Sequence, residues 1–173
     1  MDDGREDGRR PLHGAFAPVK VVVAAVGSAG SGPVADAIRE YEERAARYFD
    51  FESIEVRAGA GGEPERVRRE EGRRLAERVP AELQWFALTR RGKGMRSRRL
   101  ARYLDELATY GREGAAFLVG GAHGLDDRVL QDARYRLSLS PMTLPHALAR
   151  LVLTEQIYRA GTIARGEPYH KER

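Results

Sequence analysis

Two glycine-rich turns follow strand-like apolar runs, and glycine allows a ligand to approach the backbone closely. Gly120, Gly121 and Gly124 come directly after the run AAFLV, and ligands of open α/β sheets bind beyond the carboxyl ends of strands. An ordinary turn explains this pattern equally well. The loop GSAGSG at residues 27–32 precedes a helical pattern, as phosphate-binding loops do. Its spacing differs from the dinucleotide fingerprint, and Arg57 stands where an acidic residue would hold a ribose, so we favour a flexible turn.

A run of cationic residues at positions 90–99 contains no acidic residue. Such a cluster beside Gly92 and Gly94 predicts a flexible basic loop that contacts the phosphates of a nucleic acid. A disordered surface loop is the alternative. Residues 63–78 differ, because their six arginines are balanced by five glutamates, which indicates a solvated helix surface. The candidate RNA-binding residues of the basic loop are Arg90, Arg91, Lys93 and Arg96.

Several other kinds of chemistry leave no trace in the sequence. The chain has no cysteine, which excludes disulfides, thiol catalysis and thiolate zinc sites. Its four histidines form no pair at helical spacing, so we predict no metal site, and the chain lacks the G-x-S-x-G nucleophile elbow. No apolar run approaches the length of a membrane span, and the acidic N-terminus is unlike a secretory signal. We therefore expect a cytoplasmic protein with no membrane partner.

Helices and strands must position the two glycine-rich turns and the basic loop. The chain of 173 residues is long enough for one domain with its own core. Residues 1–17 lack apolar periodicity and predict a disordered extension, which leaves residues 18–173 for the domain. Strand-like runs alternate with helical patterns, which predicts an α/β fold with a mostly parallel sheet and helices on both faces. The predicted strands cover residues 19–26, 51–57, 84–89, 115–120 and 135–139. The predicted helices begin at Pro33 and Glu63, cover residues 100–110 and 125–134, and follow Thr143 as a cap with Pro145 just inside.

The last helical pattern is apolar over an unusually wide arc. One face of a sheet is too narrow to cover all of these side chains, and exposed apolar patches usually mark interfaces. We therefore predict a homodimer whose interface includes this helix. The residues of the arc are Leu148, Leu151, Val152, Leu153, Ile157 and Ile163.

The segment LSLSPMTLPHALARLVLTEQIYRA, followed by PYHKER, resembles the C-terminal signature of the ribosomal RNA large subunit methyltransferase H family, which is similar to other SPOUT methyltransferases. The resemblance extends back through LVGGAHGL, IREYEERAARYF and VVAAVGS, and so covers roughly Lys20 to Arg173. Two positions depart from the family's pattern. His123 stands where a glutamate is common, and Lys171 replaces a common arginine but keeps the charge of a candidate RNA contact.

The resemblance implies a fold and an activity that the patterns alone do not reach. It implies a C-terminal trefoil knot, a homodimer, and methylation of N3 of a pseudouridine in 23S ribosomal RNA. The implied methyl donor is S-adenosylmethionine, and the implied substrate is the assembled ribosomal particle. The cofactor-binding residues that the resemblance implies are Leu88, Gly120, Gly121, Ser140, Pro141, Met142, Thr143, Leu144 and Pro145.

Methyl transfer to N3 requires that donor and acceptor are aligned and that the N3 proton leaves. Given the resemblance, Arg159 is a candidate to stabilise the deprotonated base and Tyr169 to stack on it. His170 is a candidate to accept the proton or to position the base. Glu155 and His146 come next, although a structural ion pair explains Glu155 and Arg159 equally well.

Two other functions stay open at this point. One is a non-catalytic RNA-binding protein that kept the fold and lost the cofactor. The other, which rests on the loop at residues 27–32, is a nucleotide-binding α/β oxidoreductase. Binding measurements with S-adenosylmethionine and NAD separate the three.

Overall fold

A computed structural model describes residues 18–111 and 113–170 of the chain. Its strands are β1 (Lys20–Val26), β2 (Asp50–Val56), β3 (Gln84–Gly94), β4 (Gly114–Val119) and β5 (Tyr135–Ser138). Its helices are α1 (Pro33–Ala45), α2 (Pro64–Arg78), α3 (Ser97–Thr109), α4 (Asp127–Asp132) and α5 (His146–Ala164), followed by a 3-10 turn at Pro168–His170. The strands form one sheet in the order β2-β1-β4-β3-β5, and the pairings are parallel. The predicted α/β class is therefore confirmed.

Helices cover both faces of the sheet because its central strands are apolar on both sides. In β1, Val21 and Val23 pack in the core that α1, α3 and α5 cover, whereas Val22 and Ala24 pack in the core that α2 and α4 cover. Six of the seven residues of β1 are buried, as expected for a central strand of a parallel sheet. Helix α5 packs against both α1 and α3, and it therefore runs over the middle of one face.

Strand β3 is longer than the pattern predicts and includes half of the predicted basic loop. Its pairing with β5 shifts register between Leu88 and Lys93, so the four residues between them bulge out of the ladder. Gly92 permits the bulge, because a Cβ there would lie 2.5 Å from the carbonyl oxygen of Arg136. The last part of the segment starts α3. The prediction of a loop over residues 90–99 is therefore wrong, because strand pairing and an early helix order this segment.

Helix α5 also begins differently from the prediction. Pro145 is the N-cap residue in an extended conformation (ψ 148°), and His146 is the first helical residue. Thr143 makes no capping hydrogen bond; its hydroxyl oxygen accepts a hydrogen bond from Arg90 instead. Pro145 therefore stands just before the helix rather than just inside it, and the prediction of Thr143 as the cap is wrong.

The helix predicted over residues 125–134 is shorter in the structure. Asp126 caps α4 by accepting a hydrogen bond from the N–H of Arg128 at 3.0 Å, which fixes where the helix begins. The predicted extension at residues 1–17 lies outside the described residues. In the part of the chain that the structure describes, no helix is both long enough and apolar enough to cross a membrane.

Candidate active site

The predicted cofactor segments lie in or directly after three neighbouring strands and so come together at one edge of the sheet. Leu88 lies in β3 opposite Leu137 of β5, the Gly120–Gly121 turn follows β4, and the loop of residues 140–145 follows β5. Strands β4, β3 and β5 are adjacent, and parallel strands end on the same side of their sheet. The structure therefore brings these sequence-predicted segments together.

The Gly120–Gly121 turn is packed closely on both sides by other parts of the chain. A Cβ on Gly120 would lie 2.5 Å from the carbonyl carbon of Gly124, and the Gly124 N–H donates to the Gly121 oxygen at 3.0 Å. A Cβ on Gly121 would lie 2.8 Å from Oε2 of Glu71. Backbone packing therefore requires glycine at position 120, whereas at position 121 the close neighbour is the end of the Glu71 side chain.

The loop between β5 and α5 is fastened by side-chain hydrogen bonds. The Ser140 hydroxyl oxygen accepts from the N–H of Met142 at 2.9 Å, and the Ser140 carbonyl accepts from the Ser138 hydroxyl at 3.0 Å. Arg90 donates to the hydroxyl oxygen of Thr143 at 3.0 Å. A residue predicted to contact RNA is thus bonded to a residue predicted to hold the cofactor.

His146 connects this loop to the glycine turn. Its Nδ1 lies 3.0 Å from the carbonyl oxygen of Gly120. Its Nε2 is buried and has no hydrogen-bond partner among the described residues. The imidazole therefore lies where the turn after β4 meets the beginning of α5.

Arg150 connects α5 to the other end of the same sheet edge. Its buried guanidinium pairs with Glu42 of α1 at 2.9 Å and with Glu55 of β2 at 2.5 Å, and it donates to the Ser53 hydroxyl at 2.9 Å. Glu55 also accepts from the N–H of Ala29 at 3.0 Å. This network holds the first glycine-rich turn against β2 and α5.

The charges of this network support one another. Burial opposes the charge of Arg150, but hydrogen bonds to Glu55 and Glu42 raise the pKa of its guanidinium. Burial alone would raise the pKa of Glu55, but hydrogen bonds from the Ala29 N–H and from Arg150 lower it below its ordinary value. Both groups are therefore charged at neutral pH, as a buried ion pair requires.

Two of the three catalytic candidates meet around Glu155 on α5. Arg159 donates to Oε1 of Glu155 through Nε at 3.0 Å and Nη2 at 2.6 Å, and the Tyr169 hydroxyl donates to the same oxygen at 3.2 Å. The Arg159 guanidinium lies over the Tyr169 ring, 5.0 Å from its centroid. The hydrogen bond to Glu155 raises the pKa of Arg159, and burial raises the pKa of Tyr169. Glu155 thus holds a guanidinium and an aromatic ring together.

The segment after α5 is fixed against the end of α1. The Tyr48 hydroxyl donates to Glu167 at 2.5 Å, and the Arg165 guanidinium lies 4.5 Å from the centroid of the Tyr48 ring. Burial and the hydrogen bond to Glu167 raise the pKa of Tyr48 to about 12. Tyr169 is held in turn by Tyr158, with ring centroids 4.8 Å apart. The side chain of His170, and Lys171 as a whole, lie outside the described residues.

The cofactor segments and the catalytic candidates lie at opposite ends of α5. His146, the first residue of the helix, touches Gly120, whereas Arg159 is 13 residues further along. A helix rises 1.5 Å per residue, so about 20 Å separates the two positions. A single chain therefore does not bring Arg159 and Tyr169 to the Gly120–Gly121 turn.

A groove of about 590 Å³ lies between α5, the start of α3 and the end of β5. Arg96, Arg98 and Arg159 provide its cationic lining, and Leu139 and Val152 are part of its apolar lining. The groove thus brings one RNA candidate and one catalytic candidate to the same surface. Across residues 18–111 and 113–170, no three His, Asp or Glu side chains are grouped so that they could hold a metal ion.

Comparison with known proteins identifies the family. The family described as "Predicted SPOUT methyltransferase" matches residues 19–170. A protein of Gemmatimonas aurantiaca named ribosomal RNA large subunit methyltransferase H is 46% identical over 155 residues, which cover 88% of this chain and 100% of that protein. A protein of Syntrophotalea carbinolica with the same name is 39% identical over 154 residues, which cover 88% of this chain and 99% of that protein. The chain belongs to the SPOUT methyltransferase family.

The resemblance to the SPOUT family predicts a knot in the C-terminal part of the chain. The segment concerned is the β5–α5 loop with α5, and for this chain the knot stays a prediction. Among solved structures, the SpoU methyltransferase AviRb of Streptomyces viridochromogenes, in complex with AdoMet, is 14% identical with a TM-score of 0.43. The alignment covers 86% of this chain and 60% of that one.

Sequence reasoning missed the buried charges that position the site of this SPOUT protein. Glu71 is buried and accepts from the Gly59 N–H at 2.9 Å, although the balanced charges of its helix predict a solvated surface. A signal was present, because Val67, Glu71 and Leu75 follow one another at four-residue spacing and all three are buried. A charged residue on the apolar stripe of a helix indicates a specific role for that charge.

Proposed function

We propose that this chain is a cytoplasmic S-adenosylmethionine-dependent methyltransferase that modifies N3 of a pseudouridine in 23S ribosomal RNA on assembled ribosomes. The observation that carries the proposal is the convergence of Leu88, the Gly120–Gly121 turn and the β5–α5 loop at one sheet edge. The relatives named ribosomal RNA large subunit methyltransferase H match over 99–100% of their length, which supports the same class of substrate.

The residues at this edge fit the cofactor. Gly120 and Gly121 leave the turn without side chains, and the buried Nε2 of His146 has no hydrogen-bond partner among the described residues, which suits a donor group of the cofactor. When bound, S-adenosylmethionine supplies a methyl group on a positively charged sulfur. The residues that would hold it are Leu88, Gly120, Gly121, Ser140, Pro141, Met142, Thr143, Leu144 and Pro145.

The cluster around Glu155 has the chemistry that the acceptor base needs. The N3 nitrogen of a pseudouridine attacks only when its proton leaves, and a fixed positive charge stabilises the anion that results. Arg159 provides that charge, since Glu155 fixes its guanidinium at 2.6 Å. Tyr169 offers a ring for stacking on the base, and His170 is the candidate that accepts the proton.

A second copy of the chain completes the active site. About 20 Å of helix separates Arg159 from the turn that His146 touches, so in this proposal Arg159 and Tyr169 of one copy serve the cofactor edge of the other. The outer side of α5 supplies the contact surface. Leu153 and Ile157 of the predicted arc are fully buried in the chain's own core, but Leu148 and Val152 are 39% and 37% exposed. The proposed homodimer covers these two side chains.

Sedimentation equilibrium tests the dimer directly. A homodimer gives twice the chain mass of 19.3 kDa at micromolar concentration. A monomer at that concentration would contradict both the dimer and the shared active site.

Mixing two inactive variants tests whether the site is shared. One variant lacks residues 166–173, and the other carries Gly120→Ala. In a one-to-one mixture, half of the dimers are mixed, and each mixed dimer has one intact composite site. We expect recovery of about a quarter of the wild-type activity. An active site contained within one chain predicts no recovery, because each chain then keeps its own defect.

We propose that the basic residues near the end of β3 bind the RNA phosphates. Arg91 and Lys93 are exposed, and the Arg91→Gln/Lys93→Gln variant should weaken RNA binding and flatten its dependence on salt, while S-adenosylmethionine affinity stays the same. Arg69→Gln/Arg73→Gln on α2 is the matched control. It removes the same number of positive charges from a helix whose arginines are balanced by nearby acidic residues. Equal effects of the two double variants would contradict a specific RNA contact. Arg90 is left unchanged because it is bonded to the cofactor loop.

One experiment decides between the proposed function and the alternatives. Calorimetry measures binding of S-adenosylmethionine and NAD, and a methyl-transfer assay on ribosomes that lack the modification locates the product. We expect binding of S-adenosylmethionine alone and a methyl group on N3 of a pseudouridine in the 23S RNA. RNA binding without either cofactor would favour a non-catalytic RNA-binding protein, and NAD binding would favour an oxidoreductase.

A further inference from the structure

His146 has a fixed tautomer because of its hydrogen bond to the backbone. Its Nδ1 lies 3.0 Å from the carbonyl oxygen of Gly120, and a carbonyl oxygen only accepts hydrogen bonds. Nδ1 therefore carries the proton, and in the neutral imidazole Nε2 has a free lone pair. The second ring nitrogen of His146 is thus a hydrogen-bond acceptor.

This acceptor is buried without a donor. Nε2 is one of three buried side-chain polar atoms that have no hydrogen-bond partner in the described part of the chain; the others are Oε2 of Glu71 and Nε of Arg150. A buried acceptor without a donor costs free energy and needs a specific explanation. Oε2 of Glu71 lies beside Gly121, just as His146 lies beside Gly120. Both unmet acceptors therefore flank the same two residues.

We propose that Nε2 of His146 accepts a hydrogen bond from an N–H or O–H group of the bound S-adenosylmethionine. The inference rests on the proposed function. It adds to the proposed cofactor site a side chain that binds a specific polar group of the cofactor. Its support is position: His146 is bonded to the Gly120–Gly121 turn and directly follows the β5–α5 loop. The donors of the cofactor are the adenine amino group, the ribose hydroxyls and the ammonium group of its amino-acid part.

The purely structural explanation is that His146 only fixes the Gly120 carbonyl. Asparagine separates the two roles, because its side-chain amide N–H can replace Nδ1–H and it has no atom near Nε2. We expect His146→Asn to melt, without ligand, at nearly the wild-type temperature and to bind the cofactor about tenfold more weakly. His123→Asn is the matched control, since His123 is exposed on the same turn and the change in chemistry is identical; its affinity should equal that of the wild type.

Calorimetry with two ligands shows which part of the cofactor donates the hydrogen bond to His146. S-adenosylhomocysteine keeps all the donors, whereas 5′-methylthioadenosine lacks the amino-acid part. If His146→Asn weakens binding of both ligands, the donor belongs to the adenosine; if it weakens only S-adenosylhomocysteine, the donor is the ammonium group. Wild-type affinity of His146→Asn for both ligands would overturn the inference and leave the proposed function standing. Failure of the wild-type protein to bind S-adenosylmethionine would overturn the proposed function and the inference with it.

Nitrogen NMR of the wild-type protein distinguishes a contact between His146 and the cofactor from a purely structural role of His146. In the free protein, Nε2 of His146 should resonate as an unprotonated ring nitrogen, assigned by its loss in His146→Asn. S-adenosylhomocysteine should shift this resonance upfield, as an accepted hydrogen bond does, and leave that of Nδ1 nearly unchanged. An unchanged Nε2 resonance in the saturated complex would overturn the inference, even if the variant binds weakly.

Discussion

Arg150→Met should destabilise the fold more than any exposed arginine substitution, because it leaves two carboxylates without their counter-charge. The side chain of Arg150 is 4% exposed, and those of its partners Glu42 and Glu55 are 17% and 38% exposed. Methionine has a similar length, so the change removes the charge and three hydrogen bonds with little loss of volume. The loss should therefore be electrostatic in origin.

The expected magnitude follows from the burial of the partners. Removing one partner of a buried ion pair costs about 3–5 kcal/mol. Glu55 is more than one-third exposed, so water screens its remaining charge, and we expect about 3 kcal/mol, the lower end of that range. For a chain of this size, that loss lowers the melting temperature by about 6–12 °C.

Urea denaturation followed by circular dichroism measures this loss, and a double-mutant cycle assigns its cause. Arg150→Met/Glu42→Gln should be less destabilised than the sum of the two single variants, because the uncompensated carboxylate has gone. Lys20→Met is the control, since the Lys20–Glu52 pair at 3.1 Å is 35% and 47% exposed and should contribute less than about 1 kcal/mol. Equal losses for Arg150→Met and Lys20→Met would refute the argument.

Three further results are expected. Because the fold lowers the pKa of Glu55, the charged carboxylate stabilises the folded state fully at a pH above its ordinary pKa of 4.5, and this stabilisation is lost as the pH falls through the lower pKa of the folded state. The free energy of unfolding should therefore fall more steeply with acid in the wild type than in Glu55→Gln. The ultraviolet absorbance of the wild type should include a phenol with a pKa of about 12 instead of the ordinary 10.0; this component should be absent from Tyr48→Phe, and a spectrum unchanged by the substitution would contradict the assignment. Gly120→Ala should lose about 1–3 kcal/mol of stability, since its Cβ would meet the Gly124 carbonyl carbon at 2.5 Å; Gly94→Ala, with no atom within 4 Å of its Cβ, should unfold like the wild type.

The fold class could be predicted from the sequence because it depends on local patterns. Strand β1 is an unbroken apolar run that is buried on both faces, and such runs between helical patterns indicate a parallel sheet. The extent of β3 could not be predicted, because its last residues pair with β5, more than 40 positions away in the chain. The close approach of Gly92 to Arg136 is likewise visible only when both strands are in place.

The segments that form the candidate site could be predicted from the sequence, but the side-chain contacts that connect them could not. The glycine turn and the β5–α5 loop were visible as motifs, and the resemblance related them to a cofactor. Nothing local indicates that Arg150 reaches Glu42 and Glu55, which are 108 and 95 positions away. In a chain rich in arginine and glutamate, most charges are solvated, and only their position on an apolar helix face distinguishes the few that are buried.

The geometry of α5 leads to a last prediction about the proposed dimer. If His146 of one copy and Arg159 of the other serve one site, the two α5 helices run antiparallel across a twofold axis near the midpoint of these positions, where Val152 is 37% exposed. A residue beside such an axis faces its own copy. The chain has no cysteine, so Val152→Cys introduces a single thiol, and a short bis-maleimide linker should convert the protein to twice its 19.3 kDa mass. Tyr110→Cys at the end of α3, where Tyr110 is 74% exposed, should stay largely uncrosslinked. If Tyr110→Cys is crosslinked as efficiently as Val152→Cys, the crossing point is wrong and the shared site loses its geometric basis.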